Sequence, residues 1–117
     1  MKNAKKRTTE VFKFTGGNES YVVYVTPGAR IEVHTHDRSG FLLNVSAFAV
    51  GDEAEYDSFN LKYTAPIAAI TAKSVVFDLG DGGHRRRRRT LREFAWRNAN
   101  FDRAAVAEYN AKMSRCI

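Results

Sequence analysis

The chain has 117 residues, 44% hydrophobic and 12% aromatic, with a formal net charge of +6 and one cysteine, Cys116. That much apolar material excludes a disordered segment, and a chain of this length buries roughly two-thirds of its unfolded surface in a single core. A lone cysteine excludes an internal disulfide and a cysteine-rich zinc site and points to a reducing compartment.

Residues 1–9 read as a flexible basic arm, because Lys5, Lys6 and Arg7 stand in a stretch without apolar period. No apolar h-region follows Met1, which argues against a secretory signal. No apolar run approaches the length of a membrane span, so the expected location is the cytoplasm, without membrane contact.

Residues 10–117 read as one β-rich domain. Alternation over Val11, Phe12 and Phe14, the turn Gly16-Gly17-Asn18 and the run 21–25 predict a hairpin. Pro27-Gly28 supplies the next turn, and residues 30–35 alternate Ile31 and Val33 against Arg30, Glu32 and His34, as a half-buried strand does. After a turn over 37–40 comes an apolar run over 41–50. Strands are then expected near 54–57 and 61–70, with Pro66 confining the second to an edge or a bulge. Residues 71–73 and the glycine-rich 80–83 turn the chain into strands over 74–79 and 84–91. Residues 90–98 fit a short helix or a continuing strand, whereas Asp102 as N-cap with Val106, Tyr109 and Met113 on one stripe predicts a helix over 102–114. Many short strands with tight turns imply a mainly β (α+β) fold, a small bent antiparallel sheet or SH3-like barrel with a C-terminal helix packed on it.

Charge placement carries the strongest functional signal. Lys2, Lys5, Lys6 and Arg7 hold +4, and Arg85, Arg86, Arg87, Arg88, Arg89, Arg92 and Arg97 with Glu93 hold +6, leaving −4 elsewhere, mostly on Asp52, Glu53, Glu55 and Asp57. On a strand, Arg85, Arg87 and Arg89 face one way and Arg86 and Arg88 the other, and a small core accepts neither set. The hairpin must therefore project past the core, lie at an edge, or lay arginine stems over Val75, Phe77 and Leu79 with the guanidinium heads in water.

Asp78, Asp81 and Glu93 neutralise only part of this row, and guanidinium forks fit phosphate oxygens. Neutralising about six phosphates of duplex DNA gives a log–log salt slope near −5. Trp96, Tyr56, Tyr63 and Phe59 offer stacking faces to a single strand. The alternatives are an acidic protein surface as partner, a homodimer joining basic and acidic faces, and a charged edge that only prevents aggregation.

Gly28, five residues, then His34-Thr35-His36 is similar to the opening of the first cupin motif, whose metal-binding members use both histidines as ligands; Gly40 and Phe41 stand where their glutamate falls. Asp37 or His84 would have to complete such a site, and the competing expectation is two polar residues on the wet face of a strand. Glu53, Glu55 and Asp57 alternate at strand spacing, either as a solvated face or as mates for the arginines. No serine or cysteine is placed for nucleophilic catalysis, and 80–83 lacks the helix and lysine of a phosphate loop, so neither an enzyme nor a cofactor is expected.

The segments Glu55-Tyr56-Asp57-Ser58-Phe59-Asn60-Leu61, Tyr63-Thr64, Ile70-Thr71-x-Lys73-x-Val75 and Phe94-x-Trp96-Arg97-Asn98-x-x-Phe101-Asp102 resemble a pattern in short proteins carried by phages and plasmids. The resemblance implies a mobile-element origin, where small basic proteins bind nucleic acid or block a host defence complex. An inhibitor of anti-CRISPR or anti-restriction type is the implied alternative, though not a DNA mimic, which would be acidic. The same half, opening Val50-Gly51-Asp52, is similar to SH3-like barrels of the KOW or Tudor kind, whose strands hold RNA or protein.

The expectation is a small basic binding protein. It contacts nucleic-acid phosphates through arginines 85–89, helped by Arg92, Arg97, Trp96, Lys5, Lys6 and Arg7.

Overall fold

A computed structural model describes residues 8–57 and 63–100, together with Glu108, Ala111 and Lys112, which are helical. The strands are β1 (Glu10–Gly16), β2 (Glu19–Thr26), β3 (Arg30–His36), β4 (Leu42–Ala49), β5 (Glu53–Asp57), β6 (Tyr63–Ile70), β7 (Ser74–Gly80) and β8 (Arg85–Thr90), followed by helix α1 (Leu91–Asn98). They form two four-stranded antiparallel meanders, ordered β1-β2-β3-β4 and β5-β6-β7-β8. The mainly β architecture with a helix packed on it is as the sequence predicts, and the strands divide between two sheets. The predicted arm residues Lys5, Lys6 and Arg7, the loop with Phe59 and most of the predicted helix over 102–114 lie outside the described residues.

In the first sheet, Tyr21, Val23 and Val25 of β2 pair with Thr35, Val33 and Ile31 of β3, and all six are buried. The polar alternates of β3, Glu32, His34 and His36, take the other face, as period-2 alternation requires. Phe94 of α1 joins the sheets. Its ring packs edge-on to Phe48 of β4 at 5.3 Å and lies 5.9 Å from Phe77 of β7, which in turn neighbours Tyr56 of β5. Backbone bonds tie the turns across: Gly28 donates to the Ile70 carbonyl at 2.7 Å and Gly51 to the Ile67 carbonyl at 2.8 Å. Gly28 does so at φ +82, a conformation that L side chains rarely adopt.

The ambiguous stretch 90–98 is helical. Thr90 caps it by accepting from the Glu93 N–H at 3.1 Å, and Leu91, Phe94, Ala95 and Asn98 form the buried stripe. At the other end the Ala99 carbonyl accepts from Ser46 Oγ at 2.7 Å and from Asn44 Nδ2, both on β4. No helix among the described residues is long and apolar enough to cross a membrane.

Of the two expectations for Pro66, an edge or a bulge, the second holds: an irregularity lies beside Pro66 in β6, which is an inner strand. Its first half pairs β5 up to Glu53↔Pro66, and its second half pairs β7 from Ile67↔Phe77 onward, with a register shift between Ile67 and Ala69. The Ile67 N–H donates to Asp52 on the β5 side, so the Pro66 backbone, one residue earlier, faces the β7 side. The missing N–H thus falls at the point where the β6–β7 ladder ends. Beyond that point the two strands splay apart.

Candidate nucleic-acid interface

β8 is the outer strand of the second sheet, and its register fixes the faces of the arginine row. Arg87 and Arg89 lie opposite the buried Phe77 and Val75, and Arg86 and Arg88 lie opposite Asp78 and Val76. The hairpin closes through Gly80, Asp81, Gly82 and Gly83, all at positive φ, with Gly83 and His84 donating back to the Gly80 and Asp81 carbonyls. Only Asp81 among the four bears a Cβ, and aspartate is one of the few such residues that adopts this region readily.

Arg85, Arg86, Arg87 and Arg88 are exposed. Arg86 Nε donates to the Gly83 carbonyl at 3.1 Å and Arg88 to Ser74 Oγ at 3.1 Å; among the described residues none of the four forms an ion pair with a carboxylate. Asp78, the nearest acid by register, uses Oδ1 to accept from the Gly80 N–H.

Arg89 differs. Its side chain is 14% exposed, its Nε donates to the Tyr56 carbonyl at 2.8 Å, and it lies 3.9 Å from Asp57. It spans from β8 to the far end of β5, so the sheet curls until one side chain bridges its two outer strands. The exposed row without a carboxylate partner among the described residues is thus four residues long.

The remaining site residues scatter. Arg92 and Trp96, one helical turn apart, face β1: the Arg92 guanidinium sits 5.3 Å over the Phe14 ring, and the 60%-exposed Trp96 borders Gly16. Trp96 lies at the opposite end of β8 from the hairpin tip, so it joins a second basic and aromatic patch with Arg92, Phe14 and Phe12. Arg97 is half-buried and engaged. Tyr56 and Tyr63 stand together, ring centres 6.1 Å apart, with Tyr63 exposed.

The acidic segment is not a solvated face. A register shift between Glu55 and Asp57 breaks the alternation; Glu55 is buried, Asp57 approaches Arg89, Asp52 accepts from the Ala49 N–H, and only Glu53 is exposed. His34 and His36 share the outer face of the first sheet, as expected, but His34 Nε2 bonds Glu32 at 2.8 Å and Asp37 is occupied by the Ser39 and Phe41 N–H groups. His84 sits in the β7–β8 turn on the other sheet, and no group of three or more potential metal ligands exists among the described residues. Glu32 is held below the usual carboxylate range, first by its hydrogen bond with His34 and then by Arg30.

Two features escaped the sequence reading. Asn98 bonds Glu55 through both backbone groups, at 2.8 and 2.9 Å, and an isolated asparagine carries no signal for that role. A groove of about 400 Å³ opens where β6 and β7 splay, lined by Tyr56, Thr64, Ala65, Pro66, Asp78 and Arg85 among others; Pro66 in mid-strand was its one visible sign. Compared with known proteins, the chain matches no family model, no curated protein and no solved structure.

Proposed function

We propose that the protein binds nucleic acid by its phosphates, along the open edge of β8. The observation that supports this reading is the row Arg85, Arg86, Arg87 and Arg88: exposed guanidinium groups on both faces of an outer strand, without a carboxylate partner among the described residues. Packed like charges repel, and a polyanion relieves that repulsion while its oxygens accept from the planar guanidinium forks. Arg92 and Trp96 form a second basic and aromatic patch on α1, apart from this row. A mobile-element origin agrees with such a role.

Fluorescence anisotropy with labelled oligonucleotides tests it. Arg86→Glu combined with Arg88→Glu should abolish micromolar binding; unchanged affinity in that variant refutes the proposal.

A second reading draws on the same open edge, because an outer strand also accepts an added strand, and an acidic extended segment of a host protein complex would meet the arginines while doing so. Pull-down from nuclease-treated host lysate separates the two. A stoichiometric protein partner surviving nuclease favours inhibition of a host complex, and loss of every partner favours nucleic acid.

A further inference from the structure

We infer that the groove between the splayed ends of β6 and β7 receives an unstacked nucleobase, so that the ligand of the arginine edge is single-stranded. The inference rests on the phosphate reading above and adds to it the form of the nucleic acid.

The groove arises from the chain's own ladder. β6 and β7 pair only from Ile67↔Phe77 onward, so residues 64–66 and 78–80 line an opening instead of pairing with each other. Its volume, about 400 Å³, lies in the range of roughly 300–1,000 Å³ typical of sites for small organic ligands. Ala65, Leu79 and the ring of Tyr56 give it apolar lining; Leu79 and Tyr56 pack on the core, so that lining is firm.

Polar groups able to meet the edge of a base also line the groove. Asp78 spends Oδ1 on Gly80, and a carboxylate retains further acceptor capacity for the ring N–H and amino donors that bases carry. Thr64 offers a hydroxyl. Arg85 lines the same groove and begins the arginine row, so a base in the groove and phosphates on β8 belong to one continuous track. Tyr63, exposed and beside Tyr56, presents an aromatic face near the entrance.

A paired, stacked duplex has no free base to place there, whereas a single strand does, and stacking on aromatic side chains is the usual source of affinity for unpaired strands. The neighbouring arginines hold the backbone without reading sequence.

The test compares three labelled ligands of one sequence by anisotropy: a ten-nucleotide single strand, its duplex, and the same strand carrying abasic sugars throughout. The strand should bind at least tenfold tighter than the duplex, and removing the bases should weaken it roughly tenfold or more. Tyr63→Ala, at an exposed position, should weaken the intact strand severalfold and leave the abasic strand unaffected, with Tyr63→Phe restoring affinity. Equal binding of the intact and abasic strands, or a preference for duplex, overturns the inference. If those ligands bind alike yet all are lost in Arg86→Glu plus Arg88→Glu, phosphate binding stands and only the base groove falls; if none binds the wild-type protein, both fall.

Discussion

At one border of the second sheet, β5 gives the N–H and C=O of buried Glu55 to the side-chain amide of Asn98, so the helix completes the ladder as another strand would. At the other border, β8 has no strand beyond it among the described residues and carries four exposed arginines. An unprotected outer strand invites pairing with other chains, and proteins blunt it with cover or with charge. This sheet uses one remedy on each side. Cover consumes the backbone groups, whereas charge leaves the guanidinium groups exposed, and that difference is what the proposed contact at β8 rests on.

The contrast predicts unequal responses to mutation, the largest on the covered side. Asn98→Leu keeps the volume but strands two buried backbone groups, at about 1–3 kcal/mol each. The expected loss is about 3 kcal/mol, read as a fall in Tm on the order of 10 °C by circular dichroism. A fall of a degree or two would show that the amide is not sealing β5.

Within the arginine row the comparison sharpens to single residues. Arg89→Met removes the charged donor to Tyr56 and should cost about 2 kcal/mol, while Arg87→Met, two residues away along the strand, should change stability by less than about 0.5 kcal/mol. Equal effects would mean that Arg89 is as free as its neighbours. Thr90→Ala, which uncaps α1 between the two borders, should cost about 1 kcal/mol in urea unfolding.

A smaller effect belongs to the first sheet. The folded-state pKa of Glu32 is depressed, so its contribution is present above the ordinary carboxylate value and disappears as pH falls through the depressed one. For a partly exposed group this amounts to less than about 1 kcal/mol. Stability should therefore decline less on acidification in Glu32→Gln than in the wild type; parallel curves would dismiss the interaction. The smallest stability effect is expected for Arg86→Glu with Arg88→Glu, within about 0.5 kcal/mol, since both side chains are exposed and each gives up one hydrogen bond, to Gly83 and to Ser74.

Much of the fold was legible because local rules agreed with tertiary ones. The alternation in β2 and β3 and the turns at Pro27-Gly28 and 80–83 each had a side-chain or φ requirement visible in sequence. The Thr90-x-x-Glu93 spacing was an available capping signal that would have settled α1 as a helix. Other features were illegible because they depend on partners distant in sequence: Arg89 meets Tyr56 at 33 residues' separation, and Asn98 meets Glu55 at 43. Alternation counted across Glu53, Glu55 and Asp57 failed because one register shift reverses the faces. Pro66 was read as marking an edge or a bulge, and the irregularity beside it in the β6–β7 ladder bears out the second, although β6 is internal.

The salt dependence of oligonucleotide binding addresses the claim about β8 most directly. Four phosphates neutralised by Arg85, Arg86, Arg87 and Arg88 give a slope of log K against log salt near −2.8 for a single strand, at about −0.7 per contact. Replacing Arg86 and Arg88 with methionine should bring it to about −1.4 with the fold intact. A slope that stays the same in that variant, or binding indifferent to salt in the wild-type protein, would contradict the assignment of β8 as the phosphate contact.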